Sequence, residues 1–250
     1  MTQQFYVSPE QLMKDRADFA RKGIGRGRSV VVMSCRDGIA LVAENPSPSL
    51  HKLGEIYDRI AFAAVGKYNE FESLRQAGVR YADVRGYSYA REDVTARGLA
   101  SVYAQSLGAV FTAESKPFEV ELVVAEVGRA QDADHLYRLT FDGSIADESG
   151  FVVMGGAADV VVDALQGAWS SDLGLPEAVR AAARALRNGG TSSGTTGAAG
   201  DVDRPAALDP SVLEVAFLER DPDTLRGSRR AFRRIGGPEL EAILQYEQDT

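Results

Sequence analysis

The sequence is poor in residues that cross-link or chelate. Its 250 residues include one cysteine, Cys35, and two histidines, His51 and His135. A single thiol excludes an intrachain disulfide and fits a reducing cytosol, the expected location. His51, His135 and Cys35 show no ligand spacing, so neither a metal site nor a cofactor is expected. No run of ~18 apolar residues occurs, which argues against a membrane span. The opening Met1-Thr2-Gln3-Gln4-Phe5-Tyr6 lacks the basic and apolar regions of a secretory signal. Basic charge is also scarce. Lys and Arg number 28 against 36 Asp and Glu, a net charge of −8. That balance speaks against nucleic acid or an anionic membrane as the main partner.

What is present is organised around Ser29 to Glu44. Three consecutive valines, Val30 to Val32, open a β-run, Arg36-Asp37-Gly38 turns it, and Ile39 to Ala43 returns. The return run is apolar throughout, which fits a strand buried on both faces. Such a hairpin requires partners to cover it.

The remaining elements follow from pattern and punctuation. Ser8 as N-cap, Pro9 at the first helical position and Gln11 completing a capping box predict a helix over 8–23, with Gly23 at C′. Its apolar stripe of Leu12, Ala17, Phe19 and Ala20 is loose, so the helix is expected to dock on a surface. Gly23, Gly25 and Gly27 then make a loop, followed by no helix, so they do not form a phosphate-binding turn. A third strand is predicted at 59–65, stopped by Gly66. Helices follow at 70–80, broken by Arg85-Gly86-Tyr87, and at 92–113, where Leu99, Tyr103, Leu107 and Phe111 share a face. Strands are expected at 120–127, 136–141 and 151–154, with Asp142-Gly143 as a turn. Helices follow at 157–169 and 176–187. Residues 188–209 are low-complexity and predict a solvated loop. Strands at 212–218 and 230–235 and a helix at 239–248 close the chain. Strand blocks joined by short turns imply mainly antiparallel sheets, and intervening helix pairs imply two stacked sheets covered on both outer faces.

Several segments carry a specific resemblance. They include Pro9-Glu10-Gln11, Val42-Ala43-Glu44-Asn45-Pro46-Ser47, Leu50-His51-Lys52-Leu53-Gly54-Glu55-Ile56-Tyr57-Asp58-Arg59 and Gly66-Lys67-Tyr68-Asn69-Glu70-Phe71. Arg85-Gly86-Tyr87, Lys116-Pro117-Phe118-Glu119-Val120-Glu121-Leu122, Asp142-Gly143-Ser144-Ile145-Ala146-Asp147-Glu148 and Arg229-Arg230-Ala231-Phe232-Arg233-Arg234-Ile235 extend it. Together they closely resemble the α-subunit family of actinobacterial 20S proteasomes over about residues 5 to 245. The resemblance implies an α+β, four-layer αββα sandwich of two mainly antiparallel sheets, the N-terminal-nucleophile hydrolase fold. It further implies one domain over 1–250, with a gate segment and N-terminal helix at 1–23. Seven such subunits form a ring. These outer rings gate entry to rings of catalytic β subunits and dock a ring-shaped AAA ATPase, which delivers substrates that include proteins tagged with Pup.

The same resemblance identifies positions. The catalytic β subunits of this fold use an N-terminal threonine, an acid and a lysine. Those positions fall at Arg28, Glu44 and Lys52. Arg28 has no hydroxyl or thiol and is preceded by other residues, so no free amine serves as base. The chain is therefore expected to be non-catalytic, with Glu44 and Lys52 as vestiges. Activator tails are implied to dock at Lys52, Gly66 and Lys67. Phe5, Tyr6, Ser8 and Pro9 are implied to form the gate. The competing enzymatic reading is a self-processed hydrolase with Ser29 as its N-terminal nucleophile. Gly190-Thr191-Ser192-Ser193-Gly194 satisfies G-x-S-x-G, but a nucleophile elbow requires a strand-to-helix turn, and here the match arises from Gly/Ser/Thr composition.

Overall fold

The computed structural model describes residues 8–191, 209–221 and 230–245. Helix α1 (Pro9–Ile24) leads into β1 (Val30–Cys35), β2 (Gly38–Glu44), β3 (Leu53–Tyr57) and β4 (Ile60–Gly66). Helices α2 (Tyr68–Ser88) and α3 (Ala96–Ala113) come next, followed by β5 (Val120–Glu126), β6 (His135–Leu139), β7 (Ile145–Glu148) and β8 (Phe151–Met154). The order ends with α4 (Ala158–Gln166), α5 (Leu175–Thr191), β9 (Leu213–Glu219), β10 (Phe232–Ile235) and α6 (Pro238–Gln245).

The strands form two five-stranded sheets, β10-β9-β2-β1-β8 and β3-β4-β5-β6-β7. Every neighbouring pair is antiparallel. Alternation along the strands explains the layering. Val30 and Val32 of β1 and Leu41 of β2 point into a core shared with Ala61, Ala63 and Val123 of the second sheet. Val31, Met33, Ala40 and Val42 point the other way, onto Val161, Val179 and Ala182 of α4 and α5. On the far side, Phe62, Ala64, Leu122 and Val124 pack against Leu99, Tyr103 and Leu107 of α3. The result is the expected αββα order, and the valine run is consecutive because both of its faces are buried.

Several expectations are corrected. Strands β3 and β7 carry no strand signal in the sequence. Glu55 and residues 145–148 are partly or largely exposed, so neither segment shows a continuous apolar run. Helix α2 does not break at Arg85-Gly86-Tyr87. It runs to Ser88 because Gly86 faces the hydroxyl of Tyr57, in space that a Cβ would fill. The next helix begins at Ala96 and not at 92, with Thr95 as N-cap accepting from the Gly98 amide at 3.2 Å. Helix α1 passes through Gly23 and ends at Ile24. Ala20 and Ile24 also join the inter-sheet core, so its last turns cap the sandwich end as well as lying on its surface. Helix α5 continues through Thr191, making the first residues of the expected 188–209 loop helical. Residues 192–208 and the gate residues Phe5 and Tyr6 lie outside the described residues.

Candidate functional site

Antiparallel pairing gathers the start of β1, the end of β2 and the start of β3 at one end of the sandwich, and there the sequence-identified residues meet. The guanidinium of Arg28 pairs with the carboxylate of Glu44. The ammonium of Lys52 donates to the carbonyl oxygens of Arg28 at 2.8 Å and Glu44 at 3.1 Å. Lys52 therefore binds the main chain of this pair, while the two side chains bind each other. Burial pushes the Lys52 ammonium down to about 8, helped by Arg28 and opposed by the carboxylates of Glu44 and Glu214.

Glu214, at the start of β9, was missed in the sequence, where it reads as one polar residue opening an apolar strand. It is buried and accepts from the Lys52 amide at 2.9 Å, the Leu53 amide at 3.3 Å, Asn45 Nδ2 at 2.8 Å and Arg234 Nη1 at 2.8 Å. His51 Nδ1 lies 3.2 Å from it. One carboxylate thus fixes the strand entry on which Lys52 sits. Only its pairing across sheets, invisible to local pattern, reveals this.

Gly66 belongs to the same neighbourhood, because its amide lies beside Gly27, the residue before Arg28. Its φ of 107° and the space beside the Glu119 carbonyl exclude a Cβ. The Lys67 amide donates to that carbonyl at 2.9 Å. Lys67 Nζ lies 3.6 Å from Glu70, a carboxylate it shares with Lys116 at 2.8 Å. Ser8 caps α1, accepting from the Gln11 amide at 3.2 Å, and Pro9 occupies the first helical position. The Gln11 side chain turns to Asp15 instead, so the capping box is only half made.

The nucleophile alternatives fare differently. Ser29 is buried, and its hydroxyl has no hydrogen-bond partner among the described residues. The residues ahead of Ser192 form the end of helix α5, not the strand that an elbow requires. Among the described residues no group of His, Cys, Asp or Glu could hold a metal ion. No helix among them is long and apolar enough to cross a membrane.

The opposite end of the sandwich opens a cleft of about 1380 Å³, lined by Arg36, Asp58, Arg59, Arg91, Arg129 and Arg220 among others. One of these lining residues, Arg220, forms a buried pair with Asp134 at 2.7 Å. Asp134 also accepts from Ser34 Oγ at 2.6 Å, which ties the second sheet to β1. Asp58 and Glu219 are among the acids balancing these cations.

A family profile described as "Proteasome subunit" matches residues 24–202. A protein named proteasome subunit alpha from an Arthrobacter species is 71% identical over 247 residues, covering 99% of this chain and 100% of the relative. Its namesake from Renibacterium salmoninarum is 68% identical over 244 residues, with 98% and 96% covered. Proteasome subunit alpha 2 of Rhodococcus erythropolis is 55% identical over 247 residues, with 98% and 93% covered.

Proposed function

Because the chain belongs to the proteasome subunit family, and its full-length relatives are α subunits, we propose that it is a non-catalytic α-ring subunit of a 20S core particle. In that role it forms a single domain, and seven copies assemble into the outer ring of a cytoplasmic protease complex. It seats on β subunits, gates entry with residues around Phe5, Tyr6, Ser8 and Pro9, and receives ATPase tails at Lys52, Gly66 and Lys67. The observation carrying the non-catalytic reading is the Arg28–Glu44 pair. At the position where catalytic relatives carry a nucleophile, a guanidinium is held by the neighbouring acid, and no hydroxyl, thiol or free amine is present.

The docking reading is supported by charge and shape. A C-terminal carboxylate entering a partly desolvated cleft needs a cation. Lys52 uses two of its three donors on carbonyl oxygens. Gly27, which has no Cβ, lets its backbone lie close to the Gly66 amide. Co-expression with the matching β subunit tests the whole reading. Native mass spectrometry is expected to report seven-fold α rings on β rings. Removing residues 2–8 is expected to accelerate peptide hydrolysis by the assembly, and the α subunit alone is expected to hydrolyse nothing. Peptidase activity from the isolated chain, coupled to a new N-terminus at Ser29, overturns it in favour of the self-processed hydrolase.

A further inference from the structure

We propose that Arg28 is a second anion-binding group of the tail pocket and that Glu44 is its resident occupant, displaced from the guanidinium when a tail carboxylate docks. The inference rests on the docking reading above and assigns that site its competitor.

Three observations carry it. First, Arg28 and Lys52 form one cationic unit, since the ammonium holds the Arg28 carbonyl at 2.8 Å. The side chain of Arg28 is 51% exposed. Its fork has five donors, and Glu44 is its one ion-pair partner among the described residues. Second, the local charge is unbalanced. Arg28, Lys52 and Arg234 face two carboxylates, Glu44 and Glu214. The neighbouring acid, Glu214, is already engaged by the Lys52 and Leu53 amides, Asn45 and Arg234. Third, the resident pair has the chemistry of the ligand: a carboxylate on a guanidinium. The resident contact runs through one nitrogen, Arg28 Nη1, and one oxygen, Glu44 Oε1, so a tail carboxylate can reproduce it, take up a further guanidinium donor and also engage the third donor of Lys52.

The consequence is competition. Glu44 keeps Arg28 oriented while the pocket is empty, and it weakens the tail by the free energy needed to replace it. Removing its charge should tighten docking, whereas removing Arg28 should loosen it. A merely structural Arg28–Glu44 bridge predicts the same direction for both changes.

The experiment uses the α/β particle and two synthetic heptapeptides bearing the C-terminal sequence of the cognate ATPase, one with a free carboxylate and one amidated. Peptide Kd is read by fluorescence anisotropy at pH 6.5, below the Lys52 value of about 8, where the ammonium of the unmodified particle is charged. Glu44→Gln is expected to lower the Kd of the free-acid peptide about 5-fold, and Arg28→Ala to raise it about 10-fold, the scale of one charge-assisted contact. Both effects should vanish with the amidated peptide. An unchanged or higher Kd for Glu44→Gln overturns the proposal, and that near-isosteric variant decides alone if Arg28→Ala does not assemble. Lys52→Ala separates the two levels. Wild-type binding by Lys52→Ala refutes the docking reading itself. Loss of binding there, with wild-type Kd in the other two variants, refutes only the role of Arg28 and Glu44.

Discussion

The ammonium of Lys52, at the start of β3, holds the carbonyl oxygen of Arg28, just before β1, at 2.8 Å. This bond joins the two sheets at the end where the candidate site lies. It also makes the position of Arg28 depend on a side chain that burial pushes down to about 8.

The first prediction is a pH dependence. Lys52 is cationic below about 8 and loses its charge as pH rises through that value. Glu44 and Glu214 face it as anions and Arg28 as a cation, with His51 and Arg234 beyond Glu214. Tail-stimulated hydrolysis should therefore be full on the acid side and fade on the alkaline side. A bound carboxylate favours the charged ammonium, so the midpoint with tail present should lie above 8 and docking there should take up protons. Stimulation measured from pH 6.5 to 9.5 checks this. The Lys52→Arg particle should show no such fall, because a guanidinium keeps its charge throughout.

A second prediction concerns Glu214. Its replacement by Ala strands the buried amides of Lys52 and Leu53 and the side chain of Asn45. The cost should be on the order of 3 kcal/mol, seen as a lower midpoint in chemical denaturation. Stability within a few tenths of wild type would contradict the hub role.

Gly66→Ala provides a third. A φ of 107° is unfavourable for alanine, and the new methyl overlaps the Glu119 carbonyl that receives the Lys67 amide. Strain of about 1–3 kcal/mol is expected from the backbone alone. Both thermal stability and peptide-tail affinity should drop, measured on the same preparation.

The fourth concerns α1. Deleting residues 1–23 should weaken ring formation, but it also uncovers the core that Ala20 helps seal. Polar substitution of the exposed Leu12 and Phe19, 44% and 48% accessible in the isolated chain, separates the two effects. Leu12→Ser with Phe19→Ser should leave the melting temperature nearly unchanged and reduce seven-membered rings in native mass spectrometry. Undiminished rings would remove α1 from the subunit interface.

Apolar pattern located the buried elements well. The β1–β2 hairpin and β8 are legible as short continuous apolar runs bounded by turn residues, the mark of strands buried on both faces, and α3, apart from its start, by apolar residues recurring at helical spacing. Strand β7 escaped because its Ile-Ala-Asp-Glu run lies at a sheet edge, exposed on both faces. Helix α2 was cut short because Gly86 reads locally as a breaker, whereas Tyr57, some thirty residues away, supplies its reason. At the site, Arg28, Glu44, Lys52 and Gly66 were legible through family resemblance. Glu214 was not, since its role depends on β9 of one sheet meeting the entry of β3 in the other.

Two of the glycines in α2 give the helix a mechanical character. Gly78 meets the hydroxyl of Tyr103 from α3, and Gly86 meets the hydroxyl of Tyr57 from β3. The two contacts are about 12 Å apart along the helix axis. Two aromatic pegs seated in two notches stop the rod from sliding or rolling, because either motion drives a ring into backbone. Helix α2 begins at Tyr68, directly after Gly66 and Lys67. A push delivered at those residues therefore meets a fixed anvil.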